Sequence, residues 1–427
     1  MLGLWRLVGI TFAVIAPASS VFLTYGTAYG EAGTGVVLAC ILAGTLNVLM
    51  MLCYAEVGSR HPEAGGDYTL AARVLGRRAG SVYTALFALK GMAIPALVAL
   101  STASYFHEFD AHVPAGEAAV IIFILYILLA ALDIRASSLV VNVMVGVELL
   151  VFGLFLVAGI THLQQPLQVF WHPVMARRAG LSPVSSGTWI AAGIAALYAL
   201  NGPQACLYYS EETRVAPRQI GRTILAASLA TVGVELVAVS LATLALPAVT
   251  PTAGAHTIAR MAFGGPGAGW VHLLIVAGIT MALFDTGLAT TMSYSRIFYA
   301  IARDRQFPGR LSDICGYVSR RGVPLGALMC LGIVNMAAVL TATVDFLVGL
   351  GGTVLIIIYG GIAIASLADR LREARTPYAM PAWPLPPLIA LAGLGLLVIH
   401  VDAVRLAVTL LVVLAGLAWF RMAPRGG

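Results

Sequence analysis

The chain has 427 residues, of which 60% are hydrophobic and only 10% charged, and its mean hydropathy is +0.92. Soluble domains are about half apolar and about a quarter charged, so this composition excludes a soluble globular protein. The formal charge of +6 does not indicate a nucleic-acid-binding protein, because the arginines flank apolar runs instead of forming a patch. The runs lack the alternation of barrel strands, so we predict an all-α polytopic membrane protein.

The apolar runs predict twelve transmembrane helices. The first run leads directly into further spans, so we expect a retained helix and not a cleaved signal peptide. The outer loop 163–187 predicts a short interfacial helix, and the amphipathic stretch 57–79 predicts a helix on the membrane surface. The twelve predicted spans are 5–27, 33–56, 80–106, 114–133, 138–162, 188–209, 223–248, 268–300, 324–343, 346–368, 383–400 and 403–421.

The arginine distribution predicts the orientation. When successive loops are assigned alternately to the two sides, 20 arginines fall on one side and four on the other. The positive-inside rule then places both termini in the cytoplasm. We expect the protein to lie in the inner membrane of the cell. Lys90, the chain's only lysine, belongs to neither side, because it lies in the middle of the third predicted span.

Two predicted spans are interrupted in corresponding places. The first contains "VIAPASSVF" (14–22) and the sixth contains "YALNGPQACLYY" (198–209). A proline in a helix interior removes a backbone hydrogen bond. Interrupted helices in matching positions of two halves are typical of an inverted-repeat transporter with its site at the membrane midplane. Ordinary proline kinks, which membrane helices tolerate, are the alternative.

Three motifs, in order along the chain, resemble the amino acid–polyamine–organocation superfamily. The most specific is "YAEVGSRHPEAGGDYTLAARVLG" (54–76), which is similar to the stretch that follows the second span in that family. The others are "NGPQACLYYSEETRVAPRQIGRTI" (201–224) and "SRIFYAIARDRQFPGRL" (295–311). The resemblance covers most of the chain.

The resemblance implies a LeuT-type fold and transport by alternating access. Residues 1–163 would form repeat one with five spans, 164–187 the outer loop, 188–370 repeat two with five spans, and 371–427 two extra helices. In this family the unwound part of span one binds a substrate carboxylate through backbone amides, and the unwound part of span six binds its ammonium through carbonyls. These roles agree with the partial charges at helix ends.

The resemblance also assigns substrate-binding positions, with departures. The usual glycines of span one are absent, and Gln204 replaces a residue that is often acidic. Helix–helix hydrogen bonding is the alternative role for Ser19, Ser20 and Gln204. The predicted substrate-binding residues are Ala18, Ser19, Ser20, Val21, Tyr198, Asn201, Gly202 and Gln204.

Ionisable residues inside spans are costly and usually functional. Many family members carry a lysine in span five, six residues after an asparagine; here Asn142 plus six is Glu148. We hypothesise that Lys90 and Glu148 form a buried pair or share a proton, since each charge would offset the cost of burying the other. Two alternatives stay open: Lys90 binds the substrate carboxylate directly, or it is a structural charge.

Other charged residues have weaker predicted roles. Asp285 precedes "TGLATTMS", and hydroxyls of this span could form a cation site or could bond their own backbone. Glu235 receives no partner. Glu56, Arg60 and Glu211, with Arg214, could form an inner gate or could be solvated interface charges.

Together these features predict a proton-coupled secondary transporter of an amino acid or related organic amine. A sodium-coupled symporter or an exchanger is the alternative, and a sensor on a transporter fold is a remote one. The sequence contains no P-loop and no HExxH or GxSxG motif, so we expect neither ATP-driven transport nor an enzyme. The five cysteines show no paired spacing, and we expect neither metal nor cofactor. The expected partners are the small-molecule substrate, a proton or sodium ion, and the lipid bilayer.

Overall fold

The computed structural model describes most of the chain. The described residues are 17–61, 66–107, 112–132, 134–161, 163–177, 180–204, 206–207, 216–245, 269–307, 309–320, 322–373 and 375–422. The predicted all-α class is confirmed in these ranges, where fourteen α-helices account for most residues. In chain order they are α1 Pro17–Ala32, α2 Val36–Arg60, α3 Asp67–Leu75, α4 Arg77–Phe106, α5 Ala115–Ala130, α6 Ile134–Thr161, α7 Ser186–Ala199, α8 Pro217–Ala245, α9 Gly269–Arg303, α10 Arg310–Cys315, α11 Leu325–Thr341, α12 Val344–Arg372, α13 Leu385–Val398 and α14 Ala403–Met422.

Helix α4 lies at the centre of the bundle. It packs against α3, α5, α9, α11, α12 and α14. A second group forms around α1, which packs against α6, α7, α8 and α9. The two groups meet because α9 contacts both central helices. Any side chain in the middle of α4 is therefore enclosed by protein and does not face lipid.

The outer surface of the bundle is apolar. Leu128, Leu150, Ile333 and Leu411 are all more than half exposed, as expected of side chains that face lipid tails instead of water. Five segments of the described chain are long and apolar enough to cross a membrane: Ser19–Arg60, Arg77–Phe106, Pro217–Ala245, Leu273–Arg303 and Val344–Arg372. Shorter apolar helices accompany them, and the count of twelve spans stays a prediction.

The outer loop differs from its prediction. One turn of 3₁₀ helix, Leu167–Phe170, precedes two antiparallel strands, β1 Val174–Arg177 and β2 Gly180–Pro183. Thr34 fixes this hairpin, because the Val174 N–H donates to its hydroxyl over 2.8 Å. Gly33, with φ of +53°, permits the approach: a Cβ there would lie 2.4 Å from the Val174 carbonyl oxygen. The predicted short interfacial helix therefore corresponds only to the single 3₁₀ turn, and the rest of the loop is a β-hairpin.

The amphipathic stretch after the second span forms α3, as predicted, but the position of this helix is different. Its Tyr68, Leu70 and Val74 side chains are buried, and the helix packs against α4 and α12. The apolar face that predicted a membrane-surface helix is covered by protein.

Pro95 interrupts α4 one turn after Lys90, and a neighbouring helix repairs the interruption. Proline has no N–H to donate to the carbonyl four residues before it, which here belongs to Gly91. The side-chain amide of Asn335 in α11 donates to the Gly91 carbonyl over 2.9 Å. Its carbonyl oxygen accepts from the Ala96 N–H over 3.0 Å. One asparagine thus satisfies backbone groups on both sides of the proline and fixes the segment that carries Lys90.

We expect Asn335→Ala to destabilise the protein by about 2–4 kcal/mol, because each buried group left without a partner costs about 1–3 kcal/mol. The measurement is thermal unfolding of purified protein in detergent. Met329→Ala is the control, since Met329 is on the same helix and 51% exposed. Equal losses in the two variants would contradict the role assigned to Asn335.

Candidate functional site

The first predicted break is marked by the start of α1 at Pro17; the residues before it lie outside the described part of the chain. A helix start leaves backbone N–H groups without intrahelical partners. Both the N–H and the hydroxyl of Ser19 donate to Oε1 of Glu148 in α6, each over 3.1 Å. A carboxylate also complements the partial positive charge of a helix N-terminus. Glu148 therefore occupies the start of α1.

Helix α7 ends at Ala199, inside the second predicted break. Asn47 of α2 donates from its side-chain amide to the Leu200 carbonyl over 2.9 Å. Gln204 accepts from the Gly202 N–H over 3.2 Å and donates to the Asn201 side chain over 2.8 Å. Span six thus leaves helical geometry at mid-span, and polar side chains replace the lost backbone bonds.

A cavity of about 120 Å³ lies between the two breaks. Apolar side chains of α1, α4 and α9 form much of its wall, including Leu23, Phe87, Ile94, Val98 and Ile297. Among the described residues that line it, Lys90 carries the one charged side chain. Predicted substrate residues Ser19, Ser20, Tyr198, Asn201, Gly202 and Gln204 also line it.

Two predicted substrate residues are not among those that line the cavity. Val21 is 1% exposed and packs in the core, because residues 20, 23 and 24 share the helix face towards the cavity and residue 21 lies off it. The Ala18 side chain lies outside the described residues. The helix–helix alternative holds for Ser19, which bonds Glu148, and for Ser20, whose hydroxyl bonds Glu235 of α8. Gln204 bonds within its own segment.

The hypothesis that Lys90 and Glu148 form a pair is wrong for this structure. Glu148 bonds Ser19, and the charged group on which it acts is Asp285 of α9. The Lys90 nitrogen lies 5.6 Å from the centroid of the Phe87 ring. The charge that acts on Lys90 is that of Asp67 in α3. The amide and the hydroxyl of Ser19 both donate to Glu148 and offset part of the cost of burying its charge.

The hydroxyls that were predicted to form a cation site in α9 are bonded within their own helix. Thr286, Thr290 and Thr291 donate their hydroxyls to carbonyls of their own helix over 2.7–3.0 Å, which was the alternative. Asp285 is 3% exposed, and its Oδ1 has no hydrogen-bond partner in the described chain. No group of three or more metal-ligating side chains occurs among the described residues.

Asp67 was missed by the sequence prediction. It is fully buried, and the Tyr54 hydroxyl lies beside its carboxylate. Burial raises the pKa of Asp67 to about 6, while the positive charge of Lys90 and the Tyr54 hydroxyl act in the opposite direction. The residue lies in the quoted motif, directly after Gly66. The available signal was an acidic residue on the apolar face of an amphipathic helix.

Two of the predicted gate residues bind the end of α12. Arg60 pairs with Asp369, and its guanidinium also donates to the carbonyls of Glu373 and Arg375. Glu56 pairs with Arg370 over 2.9 Å and accepts from the Met380 N–H over 2.9 Å. The two pairs join the ends of α2 and α12. Glu211, the third predicted gate residue, and Arg214 lie outside the described residues.

Comparison with known proteins places this chain in a family. The sequence model of the amino acid permease family matches residues 2–418. The branched-chain amino acid permease of Bacillus subtilis is 22% identical over 95% of this chain and 89% of its own length. The methylthioribose transporter of Bacillus subtilis is 25% identical over 88% and 83%. Cationic amino acid transporter 5 of Arabidopsis thaliana is 23% identical over 86% and 64%.

We expect Arg370→Met to destabilise the protein by roughly 3 kcal/mol, because it leaves the buried Glu56 carboxylate without its cation. Glu56→Gln combined with Arg370→Met should recover at least half of that loss. Arg305→Met is the control, since Arg305 and Asp313 form an exposed pair with side chains 72% and 63% exposed, and such pairs contribute under about 1 kcal/mol. Thermal unfolding of the four proteins measures this; a loss no larger than that of the control would contradict the prediction.

Proposed function

The chain belongs to the amino acid permease family and is a multi-pass membrane transport protein, not an enzyme; on this premise we propose that it is a proton-coupled secondary transporter. Its substrate is an amino acid or a related organic amine, which it moves by alternating access. Its relatives by name carry branched-chain amino acids, cationic amino acids and methylthioribose. The first two favour an amino acid, and the third favours a small polar molecule of similar size.

The observation that carries this proposal is the cavity between the start of α1 and the end of α7. Two helix ends face one enclosed space, and each offers polar backbone at mid-span, which in a membrane protein is tolerated where it lines a cavity. The apolar wall suits an organic side chain, and Tyr198 can cover it. We propose Ser20, Tyr198, Asn201 and Gly202 as substrate contacts.

The same proposal includes repeats and orientation. Residues 1–163 and 188–370 form two inverted repeats, separated by the outer loop 164–187 and followed by 371–427, and both termini lie in the cytoplasm. The support is that each half begins with an interrupted helix, and that 20 of the 24 arginines lie on one side. On this orientation the pairs of Glu56 and Arg60 with the end of α12 close the cytoplasmic side.

Glu148 is proposed as the proton-binding group. Its carboxylate joins α6 to the first turn of α1 through Ser19. Glu148 in turn acts with a like charge on Asp285 of α9. A protonated Glu148 loses its attraction to the positive end of α1. Proton binding would thus loosen the contact of a broken helix with the scaffold, which is the change that alternating access requires.

Uptake into proteoliposomes tests the function. Purified protein is reconstituted and supplied with radiolabelled L-amino acids under three conditions: an inward proton gradient, an inward sodium gradient, and counterflow without either gradient. We expect counterflow for at least one amino acid and accumulation only with the proton gradient. Accumulation that depends on sodium would favour a cation site at Asp285 and refute proton coupling. Binding without counterflow would favour a sensor.

Glu148→Gln tests the coupling residue. We expect the variant to accumulate the same amount of label with and without the proton gradient, because it has no carboxylate to protonate. Counterflow continues at a measurable rate, which separates coupling from folding. Proton-driven accumulation at the wild-type level would refute the role of Glu148.

A further inference from the structure

We propose that Lys90 binds the carboxylate of the substrate, with Asp67 behind it as a positioning residue, in place of the span-one amides. The inference rests on the proposed transport function and deepens it. It makes a free carboxylate, and not an amine alone, the group that the protein recognises.

The first step concerns the start of α1, where a second carboxylate cannot bind favourably. The N–H and hydroxyl of Ser19 both donate to Glu148, so these two donors are not free for a substrate. The adjacent acidic groups add to this: Glu148 acts on Asp285 with a like charge, and Glu235 bonds Ser20. A substrate carboxylate at this position would meet like charges in a medium of low dielectric constant, where repulsion is strong.

The second step concerns Lys90, whose ammonium group lacks an anion in contact. It is 3% exposed and lines the cavity. In the described part of the chain it forms no ion pair or hydrogen bond, and its nearest specific contact is the Phe87 ring at 5.6 Å. An ammonium has three donors, and a buried cation needs partners to offset its desolvation. The cavity is the space from which an anionic ligand can reach it.

The third step concerns Asp67. It is not among the cavity-lining residues, yet its charge acts on Lys90. No salt bridge joins the two side chains in the described part of the chain. Asp67 therefore favours the charged form of Lys90 without blocking its donors. The other titratable groups on which the Asp67 charge acts are Tyr83 of α4, Tyr294 of α9 and Tyr359 of α12, and Tyr54 of α2 also faces it. All four are neutral phenols, so Asp67 is the negative charge in this group.

Ligand class follows from this arrangement. The cavity presents one cation and no acidic side chain among its described lining residues. Among the described lining residues the substrate ammonium meets neutral oxygens, such as that of the Asn201 side chain. Removing the carboxylate from a substrate should therefore weaken binding more than removing the ammonium.

The experiment uses matched probes on the purified full chain in detergent. L-leucine, L-phenylalanine and L-arginine are each compared with their decarboxylated amines, which are 3-methylbutylamine, 2-phenylethylamine and agmatine, and with their deaminated acids. Dissociation constants come from calorimetry or ligand-dependent thermal shifts. We expect at least one amino acid and its acid to bind, with the amine weaker by about 10- to 100-fold, the range for a charge-assisted hydrogen bond.

Variants locate the effect. Lys90→Met should weaken the binding of the amino acid by a similar factor, and Lys90→Arg should recover part of the lost affinity. Substrate affinity should fall as the pH is raised, when Lys90 loses its charge. In Asp67→Asn this fall should occur at a lower pH than in the wild type, because no negative charge then favours the charged form of Lys90. A merely structural change would leave the pH profile of affinity where it is. Arg310→Met, which removes an exposed charge from the start of α10, is the control.

Each outcome decides the matter. An amine that binds as tightly as its amino acid, or a folded Lys90→Met with wild-type affinity, would overturn the carboxylate site while leaving transport intact. The probe comparison needs only wild-type protein, so it decides even where a variant does not fold. A wild type that binds no probe and shows no counterflow would overturn the proposed function and this inference together.

Discussion

Every interruption of a helix in this protein must be compensated by the protein itself, because no bulk water reaches the middle of a bilayer. Unpaired backbone groups there cost several kcal/mol each. At three places in the described structure, a polar side chain from another helix binds the free backbone groups. Glu148 binds the start of α1, Asn47 binds the carbonyl after α7, and Asn335 binds both sides of Pro95 in α4.

These hydrogen bonds also determine which backbone groups at each break are available to a ligand. The Leu200 carbonyl is held by Asn47, and the Ser228 hydroxyl in turn donates to Asn47 over 2.7 Å, so this end of the cavity is rigid and electrically neutral. The start of α1 is held by a carboxylate that can lose its charge. Of the two breaks, therefore, only the first has a contact whose strength changes with protonation. This difference supports the proposal that Glu148 is the coupling residue.

The sequence predicted those features that depend on local chemistry. Pro17 and the Asn201–Gly202 pair predicted the two breaks, since a proline or a glycine alters the backbone wherever it stands. The partners of Lys90 and Glu148 were mispredicted, because pairing depends on how α3, α4 and α6 are oriented, which neither hydropathy nor spacing contains. Asp67 was missed for a related reason: a polar residue in a short amphipathic segment resembles a surface residue until packing covers that segment. The β-hairpin of the outer loop has only eight strand residues, too few for a periodic signal.

The separation of charge across the central cavity explains why one lysine is retained in a chain otherwise rich in arginine. Glu148, Glu235 and Asp285 lie on α6, α8 and α9 around the first turn of α1, whereas Lys90 lies on α4 with Asp67 behind it. A guanidinium in place of Lys90 would present five donors in a fixed plane and would keep its charge throughout a transport cycle. An ammonium is compact, and burial can make its charge depend on its neighbours. If Lys90 binds the substrate carboxylate, as proposed, a charge that depends on its neighbours gives the protein one way to hold the anion with different strength in the two orientations.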